Sequence, residues 1–135
     1  MKKKLNCILL VDDNTADNRY HQIILKGMDI TERIDVALDG EEALNYLKKE
    51  NQTPPDLIIL DINMPKVNGW EFLEAYHKLS PELKAKAIVV MLTTSENPED
   101  KKKAEQFSEI RGFNSKPLTE EMVNEILKQF FPDYI

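Results

Sequence analysis

The chain has 135 residues, of which 41% are hydrophobic and 31% are charged, and its formal net charge at pH 7 is −6. This length and composition predict one globular domain over residues 1–135 with a single buried core. The acidic balance, without a basic stripe, argues against a nucleic-acid-binding surface, because phosphate backbones are bound by clustered Lys and Arg. No apolar run approaches the ~20 residues that a membrane-spanning helix needs, so we expect a soluble protein.

Cys7 is the only cysteine, so an internal disulfide and a cysteine-based metal cluster are both excluded. This composition suits a reducing cytoplasm, and we predict that Cys7 fills core space on a strand. The basic start at residues 1–4 precedes an apolar stretch that is too short for a signal peptide and has no small-residue cleavage site. We interpret it as a solvated start before the first strand.

Five short apolar segments alternate with longer stretches of helical period, which predicts βα units around a parallel sheet. The predicted strands are 5–11, 33–38, 56–60, 87–92 and 112–115. The first, third and fourth are apolar enough to be buried on both faces, whereas the second and fifth are typical of edge strands. The pattern therefore predicts a doubly wound α/β domain of three layers.

Three of the predicted helices carry recognisable start signals. Asn14 can cap the first helix, Asn68 the third with Glu71 in the capping-box position, and Asn97 the fourth, where Pro98 follows in the first turn. Two further segments have apolar stripes at helical spacing: Ala43, Leu44 and Leu47, and Met122, Val123, Ile126, Leu127 and Phe130. We expect both stripes to pack on the sheet.

Charged and hydroxyl residues follow the predicted strands. Asp12 and Asp13 follow the first strand, Asp61 the third, Thr93 the fourth and Lys116 the fifth. In doubly wound sheets, ligands bind outside the carboxyl ends of the strands, so these side chains should meet at one edge. The alternative for each is an ordinary role: an aspartate that ends a strand or caps a helix, a surface lysine, or a β-branched strand terminus.

The predicted cluster suits phosphoryl chemistry on a carboxylate. Three carboxylates held together repel one another, and a hard cation with oxygen ligands, usually Mg²⁺, relieves the repulsion. A carboxylate beside Mg²⁺ can attack a phosphoryl donor and form an acyl phosphate, while the metal and Lys116 neutralise the transferring group. Thr93 is positioned to hydrogen-bond a phosphoryl oxygen.

Four segments, in order, resemble the receiver domain of two-component response regulators: residues 10–14 (LVDDN), 61–69 (DINMPKVNG), 92–95 (LTTS) and 116–117 (KP). The resemblance covers nearly the whole chain. It implies a flavodoxin-like (βα)5 sandwich with a five-stranded parallel sheet of order 2-1-3-4-5. It also implies a single stand-alone receiver domain, with a core over about residues 5–131 and a short C-terminal tail over 132–135.

The resemblance assigns a role to each matching residue. It implies that Asp61 is the phosphoacceptor and also contacts the metal, that Asp13 is a direct Mg²⁺ ligand, and that Asp12 is a ligand mostly through water. Asn63 would supply its backbone carbonyl to Mg²⁺. Lys116 would pair with the acceptor or its phosphate.

Further residues would act after phosphorylation. By resemblance, Thr93 moves toward the phosphate and Phe113 swings inward with it, which is a population shift driven by a local charge. Phe113 stands where tyrosine is more usual, so signalling through a phenol hydroxyl is excluded. Thr94, Asn63 and Ser95 are expected to tune the lifetime of the phosphorylated state.

The resemblance implies a phosphorylation-dependent switch in the cytoplasm. A sensor histidine kinase or a histidine phosphotransfer protein would donate the phosphoryl group to Asp61. The signal would leave through an unidentified downstream protein or a self-dimer, on the face of the fourth helix, fifth strand and fifth helix. The protein would not be an enzyme, since its only reaction is slow self-dephosphorylation. The alternative is a receiver-fold scaffold that acts independently of phosphorylation.

Other functional classes fit these residues poorly. A flavin carrier needs a hydroxyl- and glycine-rich loop after the first strand, where this chain has Asp12 and Asp13. A haloacid-dehalogenase-type phosphatase has a second aspartate two residues after its nucleophile, where this chain has Asn63. A histidine phosphotransfer module has a lysine three residues after its histidine, whereas His21 is followed there by Ile24.

Several remaining residues are assigned ordinary positions. We expect His21 and His77 at the surface, and Lys101, Lys102 and Lys103 on the solvated face of the fourth helix. Trp70 and Tyr76 are predicted to be packing residues of the third helix.

Overall fold

The computed structural model describes residues 4–49, 54–62, 68–79, 88–94, 97–108 and 110–132. Its strands are β1 (Leu5–Val11), β2 (Thr31–Ala37), β3 (Leu57–Leu60), β4 (Ile88–Thr93) and β5 (Ile110–Ser115). Its helices, over the described ranges, are α1 (Thr15–Met28), α2 (Gly40–Lys48), α3 (Gly69–His77), α4 (Pro98–Ala104) and α5 (Glu120–Phe130). Strands and helices alternate among these described elements, as the hydrophobic pattern predicted.

All strand pairs are parallel, and the sheet order is β2-β1-β3-β4-β5. This order confirms the doubly wound topology and the positions of β2 and β5 at the two edges. β2 begins two residues earlier than predicted, because Leu5 pairs with Thr31. β5 also begins earlier, because Val89 pairs with Ile110, and a register shift follows between Val89 and Val90. Both extensions consist largely of polar edge residues, which hydrophobicity does not mark.

The sheet separates two apolar layers. One layer is covered by α2, α3 and α4, with Ala43, Leu47, Phe72, Leu73, Tyr76 and Ala104 packed on the sheet. The other is covered by α1 and α5, with Leu25, Val123, Ile126 and Leu127. The central strands β1 and β3 contribute to both layers, which explains their almost uninterrupted apolar sequences. The predicted packing of the stripes on α2 and α5 is confirmed.

The three predicted helix caps are present. The Asn14 side chain accepts a hydrogen bond from the backbone N–H of Asp17, and the Asn97 side chain accepts one from Glu99. Asn68 and Glu71 form the complete capping box at the start of α3. These caps fix where the helices begin after the strand ends. Two caps were not predicted: Asp39 for α2 and Thr119 for α5.

Most of the ordinary positions are confirmed. Cys7 is fully buried on β1, and Trp70 and Tyr76 pack in the core beneath α3. The three lysines at 101–103 and His77 are exposed. Among the described residues, no helix is long and apolar enough to cross a membrane.

The expected surface position of His21 is wrong. The residue is only 2% exposed. Its Nε2 accepts a hydrogen bond from the backbone N–H of Leu118 at 3.4 Å, and this contact allows a polar ring to lie in the interior between α1 and the loop before α5. Residues 133–135 of the predicted tail lie outside the described residues.

Candidate functional site

Backbone hydrogen bonds between neighbouring strands continue one residue past the ends of several strands, and they align the residues of the site. The N–H of Asp12 donates to the carbonyl of Ala37 at 3.0 Å, and the N–H of Asp61 donates to the carbonyl of Val11 at 2.9 Å. The N–H of Lys116 donates to the carbonyl of Thr93 at 3.0 Å. The residues that follow these strands are therefore held at one edge of the sheet, as predicted.

Asp12, Asp13 and Asp61 form an acidic cluster whose ligand oxygens all lie within 4.8 Å of one another. Asp12 and Asp61 are buried, whereas Asp13 is exposed at the rim. Burial makes the repulsion among such charges costly unless cations compensate them. The donor set contains only carboxylate oxygens, which are ligands that a hard divalent cation prefers. These residues fit a Mg²⁺-type ion.

Lys116 brings a cation into the same cluster. Its Nζ lies 2.6 Å from Asp12 Oδ2, 2.8 Å from Asp17 Oδ2 and 3.5 Å from Asp61 Oδ2. Burial of the lysine opposes its charge, but the hydrogen bonds from its ammonium to Asp12 and Asp17 raise the pKa of Lys116 above its ordinary value. The ammonium therefore stays charged at neutral pH.

Asp17 is a site residue that sequence reasoning missed. In the sequence it looks like an ordinary acidic residue in the first turn of a helix, where it favours the helix dipole. Its contact with Lys116 joins residues 99 positions apart. No local pattern marks such a contact, because it depends on where the loop after β5 crosses α1.

The Asp61 carboxylate is held by hydrogen bonds. Its Oδ1 accepts from the backbone N–H of Ile62 at 2.8 Å, and the Thr93 side chain is a further hydrogen-bond partner. Burial raises the pKa of Asp61 above its ordinary value, while the charge of Lys116 opposes this rise. Its geometry is that of an oriented carboxylate beside a fixed cation.

Asp12 is oriented by its own loop and by α1. Its Oδ1 accepts from the backbone N–H of Asn14 at 2.9 Å, which leaves Oδ2 directed at Lys116. The Asn18 side chain donates through Nδ2 to the Asp12 carbonyl at 2.8 Å. Asn18 was also missed, because its buried position on α1 becomes evident only when the helix packs against this loop.

The structure describes three of the remaining predicted residues. Thr93 is fully buried at the end of β4, and Phe113 is partly buried against the layer beneath α2, α3 and α4. Thr94, the residue after Thr93, is exposed. Asn63 and Ser95 lie outside the described residues, and the roles assigned to all five of these residues stay predictions.

Comparison with known proteins agrees with this geometry. The model of the family described as "Response regulator receiver domain" matches residues 8–128. The chain belongs to the response regulator receiver domain family. Response regulator Rcp1 from Synechocystis sp. is 43% identical over 97 residues, which cover 69% of this chain and 65% of Rcp1. The matched part thus spans slightly less than two thirds of that relative.

Solved receiver structures have the same fold. A two-component response regulator from Cytophaga hutchinsonii has a TM-score of 0.88 and 31% identity, with 96% of this chain and 99% of that chain covered. The Mn²⁺-bound form of Rcp1 has a TM-score of 0.75 and 35% identity, with 91% and 92% covered. The receiver domain therefore has its expected flavodoxin-like sheet of order 2-1-3-4-5.

Proposed function

We propose that this receiver domain is a phosphorylation-dependent switch in two-component signalling and that Asp61 is its phosphoacceptor. The observation that carries the proposal is the position of the Asp61 carboxylate, which lies in a cluster with two other aspartates and 3.5 Å from the Lys116 ammonium. This arrangement provides a nucleophilic oxygen, an acidic cation site and a fixed positive charge at the carboxyl edge of the sheet.

The phosphoryl donor would be a phosphohistidine of a sensor histidine kinase or of a histidine phosphotransfer protein. Asp61 Oδ1 accepts the Ile62 N–H, so Oδ2, which faces Lys116, is the attacking atom. An oxygen–phosphorus bond forms as the nitrogen–phosphorus bond of the donor breaks. The electron pair of that bond returns to the imidazole, which takes up a proton. The product is an acyl phosphate on Asp61.

Asp12, Asp13 and Asp61, with the backbone carbonyl of Asn63, would hold Mg²⁺. When bound, a divalent cation neutralises charge on the oxygens of the transferring phosphoryl group. Two observations support this cofactor: the oxygen-only cluster within 4.8 Å, and the similarity to Rcp1, whose structure is known in a Mn²⁺-bound form.

The chain's other site residues would stabilise and report the acyl phosphate. Lys116 would transfer its contact from the Asp61 carboxylate to the phosphoryl oxygens. Thr93, which already bonds the acceptor, would donate to the phosphoryl group and allow Phe113 to turn inward. Thr94, together with Asn63 and Ser95, would set how quickly water removes the group in slow self-dephosphorylation.

The output would be a protein contact on the face formed by α4, β5 and α5, with a downstream protein or with a second copy of the chain. Histidine kinases draw the phosphoryl group from ATP, so we expect the transfer to occur in the cytoplasm. A receiver-fold scaffold that acts without phosphorylation is the alternative. The orientation of Asp61 and Lys116 favours the switch over the scaffold.

Intact-mass spectrometry after incubation with acetyl phosphate tests the proposal. We expect one phosphoryl adduct on the wild-type chain when Mg²⁺ is present, and none after chelation or in Asp61→Asn. Asp29→Asn, which removes an exposed carboxylate at the far end of α1, is the matched control and should form the adduct. Absence of an adduct on the wild type, together with failure to bind beryllofluoride, would support the scaffold instead.

A further inference from the structure

The Lys116 ammonium is shared unequally among three carboxylates. It contacts Asp12 at 2.6 Å and Asp17 at 2.8 Å, but Asp61 only at 3.5 Å. An ammonium has three hydrogens to donate, and its two short contacts go to Asp12 and Asp17. The lysine that should serve the acceptor is therefore held mainly by two other residues.

We propose that Asp17 is a positioning residue that holds Lys116 away from Asp61 and thereby slows phosphorylation of the acceptor. This inference rests on the proposed function of Asp61 and Lys116. Asp17 contacts neither the acceptor nor the donor in this scheme; it acts through the lysine.

Differences in burial identify which contact the lysine gives up. The side chains of Asp12, Lys116 and Asp61 are 7%, 10% and 8% exposed, whereas that of Asp17 is 37% exposed. Breaking the contact with Asp12 would take the ammonium away from a buried carboxylate, which is costly while no divalent cation is bound. Asp17 can return to water at small cost. As phosphoryl charge develops on Asp61, the Asp17 contact is the one released.

The contact with Asp17 is separable from the start of α1. The Asn14 cap receives the backbone N–H of Asp17, not its side chain. Asp17→Asn keeps this backbone group and the shape of the side chain while it removes the charge that binds Lys116. The substitution therefore tests the ion pair without removing the cap.

The experiment measures the rate of adduct formation with acetyl phosphate at saturating Mg²⁺, by intact mass. We expect Asp17→Asn to raise the rate about two- to fivefold, the range that a partly exposed ion pair supplies. Asp17→Glu, which restores the charge, should bring the rate back toward the wild-type value. Asp29→Asn is the matched control, because Asp29 is the residue that directly follows α1 and its carboxylate forms an ion pair with Lys4 at 2.8 Å. Its rate should equal that of the wild type.

A second pair of variants separates an effect through Lys116 from a general loss of negative charge. In a Lys116→Ala background, Asp17→Asn should leave the rate unchanged. If it raises the rate equally in both backgrounds, long-range charge explains the effect and the proposal is overturned. A rate that is unchanged or lower in Asp17→Asn alone also overturns it.

A readout that needs no phosphorylation completes the test. In NMR spectra of the lysine ammonium groups, the Lys116 hydrogens should exchange with water faster in Asp17→Asn than in the wild type or in Asp29→Asn. Equal exchange would show that Asp17 does not hold the lysine and would overturn the inference. Failure of the proposed function looks different: no variant, the wild type included, would form an adduct.

Discussion

Gly69 lies directly against the backbone of the proposed acceptor Asp61. A Cβ atom on Gly69 would lie 2.6 Å from the Asp61 carbonyl oxygen and 2.8 Å from the Ile62 Cα. The Gly69 N–H also donates to the Ile62 carbonyl at 2.9 Å. The first residue of α3 therefore lacks a side chain because the helix start and the acceptor loop occupy the same space.

Gly69→Ala should lower the free energy of unfolding by about 1–3 kcal/mol, since backbone atoms must move to admit the methyl group. It should also slow phosphorylation of Asp61, whose backbone is displaced. Gly27→Ala is the matched control: a methyl group added there would meet no atom within 4 Å, and alanine is the better helix former. That variant should gain about 0.5–1 kcal/mol. Urea denaturation measures both, and equal midpoints for the two variants would contradict the explanation.

A polar cluster formed by side chains of β1, β2 and α2 gives a second prediction. The Tyr46 hydroxyl donates to Asp35 Oδ2 at 2.5 Å and accepts from Arg33 Nη2 at 3.0 Å, and it lies 3.2 Å from Cys7 Sγ. Tyr46→Phe should reduce the free energy of unfolding by about 1–2 kcal/mol, because it removes a hydrogen bond to a charged group. Tyr20→Phe, at a side chain that is 49% exposed, is the control and should change little. Thermal or urea unfolding distinguishes them; equal losses would contradict the assignment.

The buried His21 should make stability depend on pH. Burial lowers the pKa of His21 from its ordinary value of 6.5, and the positive charge of Lys116 lowers it further, while Asp12 and Asp17 oppose the shift. Below pH 6.5 the unfolded chain therefore binds more protons at this residue than the folded chain does. The stabilisation is complete above pH 6.5 and is lost as the pH falls toward the folded-state pKa.

His21→Gln removes this titration and retains an acceptor for the Leu118 N–H. As the pH falls from 7.5 to 5, we expect the wild type to lose free energy of unfolding relative to the variant. The loss should be at most about 1.4 kcal/mol per pH unit. Urea denaturation across this range measures the difference. His77→Gln, at an exposed position, controls for the substitution itself. A difference that does not vary with pH would contradict the prediction.

Thr93→Val tests the coupling between the acceptor and α4. The variant keeps the shape of the side chain but loses the hydroxyl that bonds Asp61. Trp70, the only tryptophan, stacks on Phe107 with centroids 6.1 Å apart and lies 5.0 Å from Lys103 Nζ of α4. Its fluorescence should therefore report a movement of α4.

We expect the wild type to change its Trp70 fluorescence on phosphorylation. Thr93→Val should still form the adduct but lose most of this change, whereas Thr93→Ser should keep both. Intact mass and fluorescence on the same samples provide the measurement. A full fluorescence change in Thr93→Val would exclude the hydroxyl from the coupling.

Much of this architecture could be predicted from the sequence, because local signals determine it. β1, β3 and β4 are apolar on both faces, and short segments of this kind that alternate with longer helical ones favour interior strands. Asn14, Asn68 and Asn97 mark helix starts because their side chains satisfy backbone groups within a few residues. Parallel strands bring their carboxyl ends to one edge, so Asp12, Asp13, Asp61, Thr93 and Lys116 were expected to meet there. These predictions needed only the hydrophobic periodicity, the capping chemistry of asparagine and the order of the elements along the chain.

The partners of individual polar groups were decided only by the tertiary structure. The resemblance to receiver domains implied that Lys116 pairs with Asp61 or its phosphate, whereas in the fold its shorter contacts are with Asp12 and Asp17. His21 was expected in solvent but is buried. Its ring can lie in the interior because the backbone N–H of Leu118, from the other end of the chain, donates a hydrogen bond to it. Which of several carboxylates Lys116 contacts, and whether His21 bonds water or a backbone N–H, depends on ångström-scale differences in the positions of segments that are far apart in the sequence. Such distances are set when the helices pack on the sheet, and no local pattern encodes them.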